Sequence, residues 1–431
     1  MGLFTDNPVA LAKEDKFGFA PFADELKNMI LETEPLPFCV GIFGAWGSGK
    51  TSFMNMLRGL INERAGDKIK TIWFNPWKYD KKEDLWNALI QTILYSIIEE
   101  QTVSPEVKGK AKELALATTW LVLKKTITAI TAGVISEANL DDIIKSFSNK
   151  DEEYYRHINQ FEKDFADVVK HYTKGGKLII FIDDLDRCLP ENAITVLESL
   201  KLFIGNANCI FVLGMDHYVV EEGIKYRYAG KVTINGREYL DKIIQVPFFL
   251  PPVSYEKLRA SLQIDENSKA LTDDIWNVIH LGMGGNPRKT RRFVNSFYLL
   301  QRFLNHPDQV LQRRMQEGVI PALAPGAQNM FLAKILVFQM SFPDFYLHLQ
   351  RYSGDWEYLD KYIIQEDDAE KRKLALKDKE ELERFWKNTD LQTFMRKTSG
   401  RSYKGAPGGE VVSLLLQATN LVQTTDPETR T

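Results

Sequence analysis

Residues Gly44, Ala45, Trp46, Gly47, Ser48, Gly49, Lys50 and Thr51 fill the pattern G-x-x-x-x-G-K-[ST]. That string constrains the chain more than any other. A short apolar run, Phe38–Phe43, precedes it, and Ser52–Leu57 reads as an opening helix. Strand, glycine-rich turn and helix are the context that a phosphate-binding P-loop requires. Glycines at 44, 47 and 49 let successive N–H groups converge on a phosphate. The helix N-terminus behind them adds partial positive charge. The expected cradle runs from Gly44 to Ser52. Lys50 is placed to reach the β- and γ-phosphates, and Thr51 to offer its hydroxyl to Mg2+. A chance glycine-rich turn is the competing reading, and it leaves Lys50-Thr51 and the flanks unexplained.

Hydrolysis needs a second element. The apolar run Lys177–Ile182 ends in Asp183-Asp184. In P-loop NTPases a carboxylate at the end of such a strand helps hold Mg2+, and parallel sheets gather ligands at the carboxyl ends of their strands. Asp183 is therefore the expected Mg2+-side carboxylate, and Asp184 the group that orients or deprotonates the attacking water. An N-cap or turn pair after a buried strand is the bland alternative. No Asn-Lys-x-Asp guanine signature follows an apolar strand, since Asn149-Lys150-Asp151 lacks the spacing. ATP is the expected nucleotide.

The 431 residues allow two or three domains. A net charge of −3 gives no general attraction to nucleic acid or to an acidic membrane. Three cysteines without a CxxC spacing fit a reduced cytoplasmic protein with unpaired thiols, and six histidines show no metal-ligand spacing. The polar start, broken by Pro8 and Pro21, does not read as a secretory signal. Leu114–Leu123 and Thr126–Ile135 are apolar but separated by Lys124-Lys125, and neither reaches the ~20 residues that span a bilayer. A helical insert is expected there, with no membrane span. Peripheral membrane contact through an interfacial helix is the minority reading.

Short β-rich runs separated by helical stretches predict an α/β fold: a parallel sheet of P-loop NTPase type with a helical insertion and a C-terminal helical lobe. The expected strands are Phe38–Phe43, Lys70–Asn75, Lys177–Asp183, Asn208–Gly214 and Lys242–Val246, with Pro247 and Pro251-Pro252 breaking the pattern after the last. The expected domains are residues 1–252 as the core, including an insertion at about 83–172, then 253–325 as a helical lobe and 326–431 as a C-terminal helical region. Helical spacing marks Asp273–Leu281, Pro287–Phe303, Gln328–Phe342 and Lys377–Arg396. Pro321–Gly326 reads as a loop, and Thr424–Thr431 as a frayed end.

Five strings in order resemble the KAP family of P-loop NTPases, which includes animal neuronal membrane scaffolds and a plasmid-encoded phage-exclusion protein. They are the P-loop with Trp46 inside it, Trp73–Tyr79 with its Asn75-Pro76-Trp77, Ile182–Cys188, Tyr239–Pro247 and Gly285–Phe293. The resemblance covers Gly18 to Phe345. Many members carry transmembrane helices between the two nucleotide motifs. Here the insertion Gln101–Lys150 lacks spanning length, so membrane integration does not carry over.

The physical readings of these strings stay open at several positions. Arg187 can reach a phosphate or a neighbouring subunit's nucleotide, or form a local surface pair with Asp186. Trp77 and Tyr79 read as core or interface aromatics more than as pocket walls. Lys242 is a phosphate contact or a strand-boundary charge. On a helix starting at Pro287, Arg288 shares a face with Arg291 or Arg292. The resemblance suggests that Arg288 senses the γ-phosphate, whereas a solvated basic helix end or a nucleic-acid contact competes.

The expected activity is that of a Mg2+-dependent ATPase working as a conformational switch. The resemblance adds a setting in bacterial anti-phage defence, a homo-oligomer, and a partner protein as effector, since no nuclease motif or protease triad is legible by spacing. A nucleotide-gated scaffold with little turnover and a DNA-stimulated motor are the alternatives.

Overall fold

The computed structural model describes residues 3–34, 36–64, 66–79, 85–116, 118, 160–203, 208–228, 235–262, 271–304, 313, 317, 327–399 and 408–420. They form two compact units, one of Pro8–Pro251 and one of Met1–Asn7 with Pro252–Thr431.

The first unit is built on five strands: β1 Phe38–Phe43, β2 Ile69–Phe74, β3 Lys177–Ile182, β4 Cys209–Met215 and β5 Val246–Phe249. Their order is β2-β3-β4-β1-β5, and all pairs are parallel. β1 and β4 are buried along their whole length, as expected for strands covered by helices on both faces. The pairs Ile42↔Gly214 and Ile182↔Leu213 align the carboxyl ends of β1, β3 and β4. The P-loop, Asp183-Asp184 and Asp216 thus leave the sheet on one edge.

Four expected strands lie within one residue of the observed ones. The fifth does not. Lys242 is the exposed C-cap of helix Gly236–Asp241, and Ile243 and Ile244 both donate to Leu240 O. Those two apolar residues are buried by a helical turn, not by a strand. The strand follows at Val246 and contains Pro247, which an edge strand tolerates. The insertion at 83–172 shows helix Leu85–Glu99 and helical residues 105–116 and 160–172. Most of Leu114–Leu123 and all of Thr126–Ile135, 321–326 and 424–431 lie outside the described residues. Among the described residues, no single helix is long and apolar enough to cross a membrane. All three cysteines are free and buried.

The second unit is helical. Its core draws on residues from Leu262 to Ala418, on both sides of residue 325. Helix Ala327–Ser341 runs through the middle, buried on nearly every face. The helical spacing of Lys377–Arg396 is met by two helices, Glu380–Trp386 and Thr389–Thr398. Asn388 starts the second by accepting the Leu391 N–H through its side chain at 2.9 Å.

Helix Asp273–Met283 meets Ala327–Ser341 through Gly282. A Cβ at 282 would stand 2.4 and 2.6 Å from the two methyl carbons of Val337, and Ser341 Oγ donates to Gly282 O at 2.7 Å. Gly282→Ala is expected to lower the unit's stability by roughly 1–3 kcal/mol through overpacking. In denaturant unfolding, Gly282→Ala with Val337→Ala is expected to lose less than the sum of the single losses. Additive losses would contradict the contact.

Candidate functional site

The P-loop conformation follows from its glycines. Gly47 and Gly49 take φ of 85° and 107°, where a side chain is strained. A Cβ at Gly49 would also press on the ring of Phe19 at 3.0 Å. Gly44 N–H bonds to Met215 O, which ties the start of the loop to the end of β4. Helix Lys50–Arg64 opens directly behind the loop. Ser52, at the edge of the expected cradle, uses its hydroxyl to accept the Val9 N–H at 3.1 Å.

Lys50 is 8% exposed, so its ammonium must be paired. It donates to Gly44 O at 2.9 Å, to Ala45 O at 3.4 Å and to Asp186 Oδ2 at 3.1 Å. The same Asp186 oxygen accepts the Asp216 N–H at 2.9 Å, joining the P-loop lysine to the end of β4. Sequence reasoning paired Asp186 with its neighbour Arg187 and missed this role. Its only signal was a third acid two positions beyond Asp184.

Asp183 is 2% exposed. Thr51 donates its hydroxyl to Asp183 Oδ2 at 2.8 Å, while Asp183 Oδ1 is buried with no hydrogen-bond partner. Burial, followed by the charge of Asp184, pushes the Asp183 carboxyl up to about 6. Mg2+ takes hard oxygen donors, and an orphaned buried carboxylate oxygen beside a threonine hydroxyl fits such a cation. Thr51 and Asp183 are the residues that would hold it. The buried Ser48 Oγ also has no hydrogen-bond partner.

Asp184 has φ 63° in the left-handed region and opens the short turn Leu185–Arg187. Its Oδ2 accepts from Asn75 Nδ2 at 2.9 Å, and Asn75 Oδ1 accepts the Trp77 N–H. Arg187 Nε lies 2.8 Å from Asp184 Oδ1, an ion-pair distance without the alignment of a hydrogen bond. The guanidinium sits 5.7 Å from the ring of Trp46 and 5.3 Å from that of Trp77. Those residues are 63% and 52% exposed. Of the two expectations for Trp77, core or interface, the core is excluded, because the turn after β2 carries the residue outward to within 5.3 Å of the Arg187 guanidinium. Tyr79 stacks on Phe74 instead.

The structure thus brings Lys50, Thr51, Asp183 and Asp184 together within the first unit. Arg288 belongs to the second unit, on the first turn of helix Pro287–Leu304, with Nε 3.4 Å from the Asp6 carboxylate. It is half-buried, like Arg291, while Lys289 and Arg292 are exposed.

The position of the Asp183 titration has a sign. Its folded value lies above the ordinary 3.8, so between about 4 and 6 the folded protein holds a proton that the unfolded chain has released. Stability contributed at this site falls as pH rises through that window. In metal-free buffer, Asp183→Asn is expected to remove a pH-dependent loss bounded above by roughly 3 kcal/mol. Denaturant unfolding at pH 4.5 and 7 measures it, and an equal pH dependence in both proteins would refute it.

Residues 19–304 match the KAP family P-loop domain. An uncharacterized protein of Methanocaldococcus jannaschii is 28% identical over 158 residues, 30% of this chain and 81% of that protein. The phage T7 exclusion protein of Escherichia coli (strain K12) is 25% identical over 301 residues, 63% of this chain and 38% of that protein. Among solved structures, a Walker-type ATPase of Pyrococcus abyssi is 12% identical with a TM-score of 0.36, covering 95% of this chain and 98% of that one. Cdc6p of Pyrobaculum aerophilum is 13% identical with a TM-score of 0.38, covering 94% and 93%. Five strings carry the resemblance and the domain match spans all of them: the chain belongs to the KAP family of P-loop NTPases.

Proposed function

We propose that this chain is an ATP-driven conformational switch that binds ATP with Mg2+ at the P-loop and hydrolyses it slowly. The observation that carries this reading is the meeting of Lys50, Thr51 and Asp183, with one buried Asp183 oxygen left open to a cation. Family membership supports nucleotide binding. In the proposed step a water oxygen bonds to the γ-phosphorus and the bond to the β,γ-bridging oxygen breaks. ADP leaves with the electron pair, and the water proton passes through Asp184 to solvent. Lys50 balances charge on the β- and γ-oxygens. Arg288 reports the nucleotide state to the helical unit.

Similarity to the phage T7 exclusion protein supports a setting in defence against phage, with a partner protein as effector. Homo-oligomerisation and a cytoplasmic site of action belong to the same proposal. A second reading is a nucleotide-gated scaffold with little turnover. It is favoured by the engagement of Lys50 with Asp186 and of Asp184 with Asn75 and Arg187.

Phosphate release with and without DNA separates the readings. The switch predicts slow turnover unaffected by DNA. Tight ATP binding without turnover supports the scaffold, and strong stimulation by DNA would support a motor. Lys50→Ala is expected to abolish ATP binding. Asp184→Asn is expected to lower kcat by about 100-fold with ATP affinity retained. Turnover unchanged in Asp184→Asn sinks its assigned role, and unchanged affinity and turnover in Arg288→Ala sinks the sensor.

A further inference from the structure

Arg187 is the charged group at the P-loop that the reading above leaves without a task. Its surroundings are unusual. Both of its aromatic neighbours are exposed, and one of them, Trp46, is part of the loop itself. Its carboxylate partner is Asp184, the residue proposed to align the water. Its buried Nε donor has no aligned acceptor.

We infer that Arg187 is a phosphate-contacting residue acting in cis, which turns from its Asp184–tryptophan setting to the γ-phosphate of bound ATP and thereby frees Asp184 for water. The inference rests on the P-loop being an ATP site. Three physical points carry it. A guanidinium is the side chain best matched to phosphate, because its planar fork offers parallel donors. A cation near exposed rings is held only weakly by them, whereas charge-assisted hydrogen bonds to phosphate are roughly twice as strong as neutral ones. The rings therefore do little to hold the guanidinium against a phosphate, and its pair with Asp184 lacks the alignment of a hydrogen bond. Finally, Trp46 lies between Gly44 and Gly47, so a guanidinium 5.7 Å from its ring already stands near the loop proposed to cradle the phosphates.

The turn also couples two carboxylates with different partners. Asp186 holds Lys50 from one side of the Leu185–Arg187 turn, and Asp184 holds Arg187 from the other. A γ-phosphate offers both cations a competing anion. ADP does not reach the same position, so the rearrangement at Arg187 should discriminate ATP from ADP.

The experiment is binding and turnover in the full chain, read by tryptophan fluorescence with a non-hydrolysable ATP analogue and with ADP. In the wild type the analogue is expected to change the emission of Trp46 and Trp77, and ADP to leave it nearly unchanged. Trp46→Phe and Trp77→Phe assign the signal. Arg187→Ala is expected to abolish the difference and weaken the ATP analogue about tenfold. ADP affinity should stay constant, and kcat should fall about 100-fold wherever turnover is measurable. Arg187→Lys should recover part of the affinity but not the fluorescence response, because a point charge lacks the guanidinium plane. A variant that merely unfolds would lose ADP binding as well, so retained ADP affinity identifies a specific effect. If wild type and Arg187→Ala discriminate ATP from ADP equally, the inference is overturned while the ATP-site reading stands. If the wild type binds no nucleotide, both fall.

Discussion

A buried ammonium needs an anion, and that requirement at Lys50 organises this site. Taking the charge out of water costs several kcal/mol unless it is paired. Two loop carbonyls and Asp186 meet it here. Because Asp186 also binds the Asp216 N–H, the lysine is joined to the end of β4 as well as to its own loop. An anion that took the place of Asp186 at Lys50 would leave Asp186 with the Asp216 N–H at the end of β4.

Three acids close together divide the work by environment. Asp183 faces the threonine hydroxyl and is buried hard enough to resist ionisation. A cation would reverse that preference by supplying the missing charge. Asp184 is held by an amide and a guanidinium in a left-handed backbone conformation. Asp186 serves Lys50. One short turn sets all three apart, which is why neighbours in sequence have unlike partners.

Much of this was legible beforehand, for local reasons. β1 runs over the residues that its apolar pattern marks, and the loop glycines take the backbone values that a phosphate cradle demands. Thr51 and Asp183 meet because parallel strands end on one edge. The fifth strand was misplaced because Ile243-Ile244 and Val246–Phe249 are both short apolar runs. Periodicity cannot tell a buried helical turn from an edge strand over four residues. The spacing of Lys377–Arg396 does not show where one helix ends and the next begins, because the cap at Asn388 interrupts the backbone but not the apolar pattern.

By itself the sequence determined that a P-loop string exists, that an acidic strand end accompanies it, and which family the two resemble. These are properties of short contiguous strings, whose backbone geometry is set by their own residues. Only the tertiary structure decided the partners. Lys50 finds Asp186 across 136 positions, and Arg187 comes within 5.7 and 5.3 Å of two tryptophan rings from separate loops. Strand order and the direction of one turn set those meetings, and neither is written in the spacing of the residues that meet.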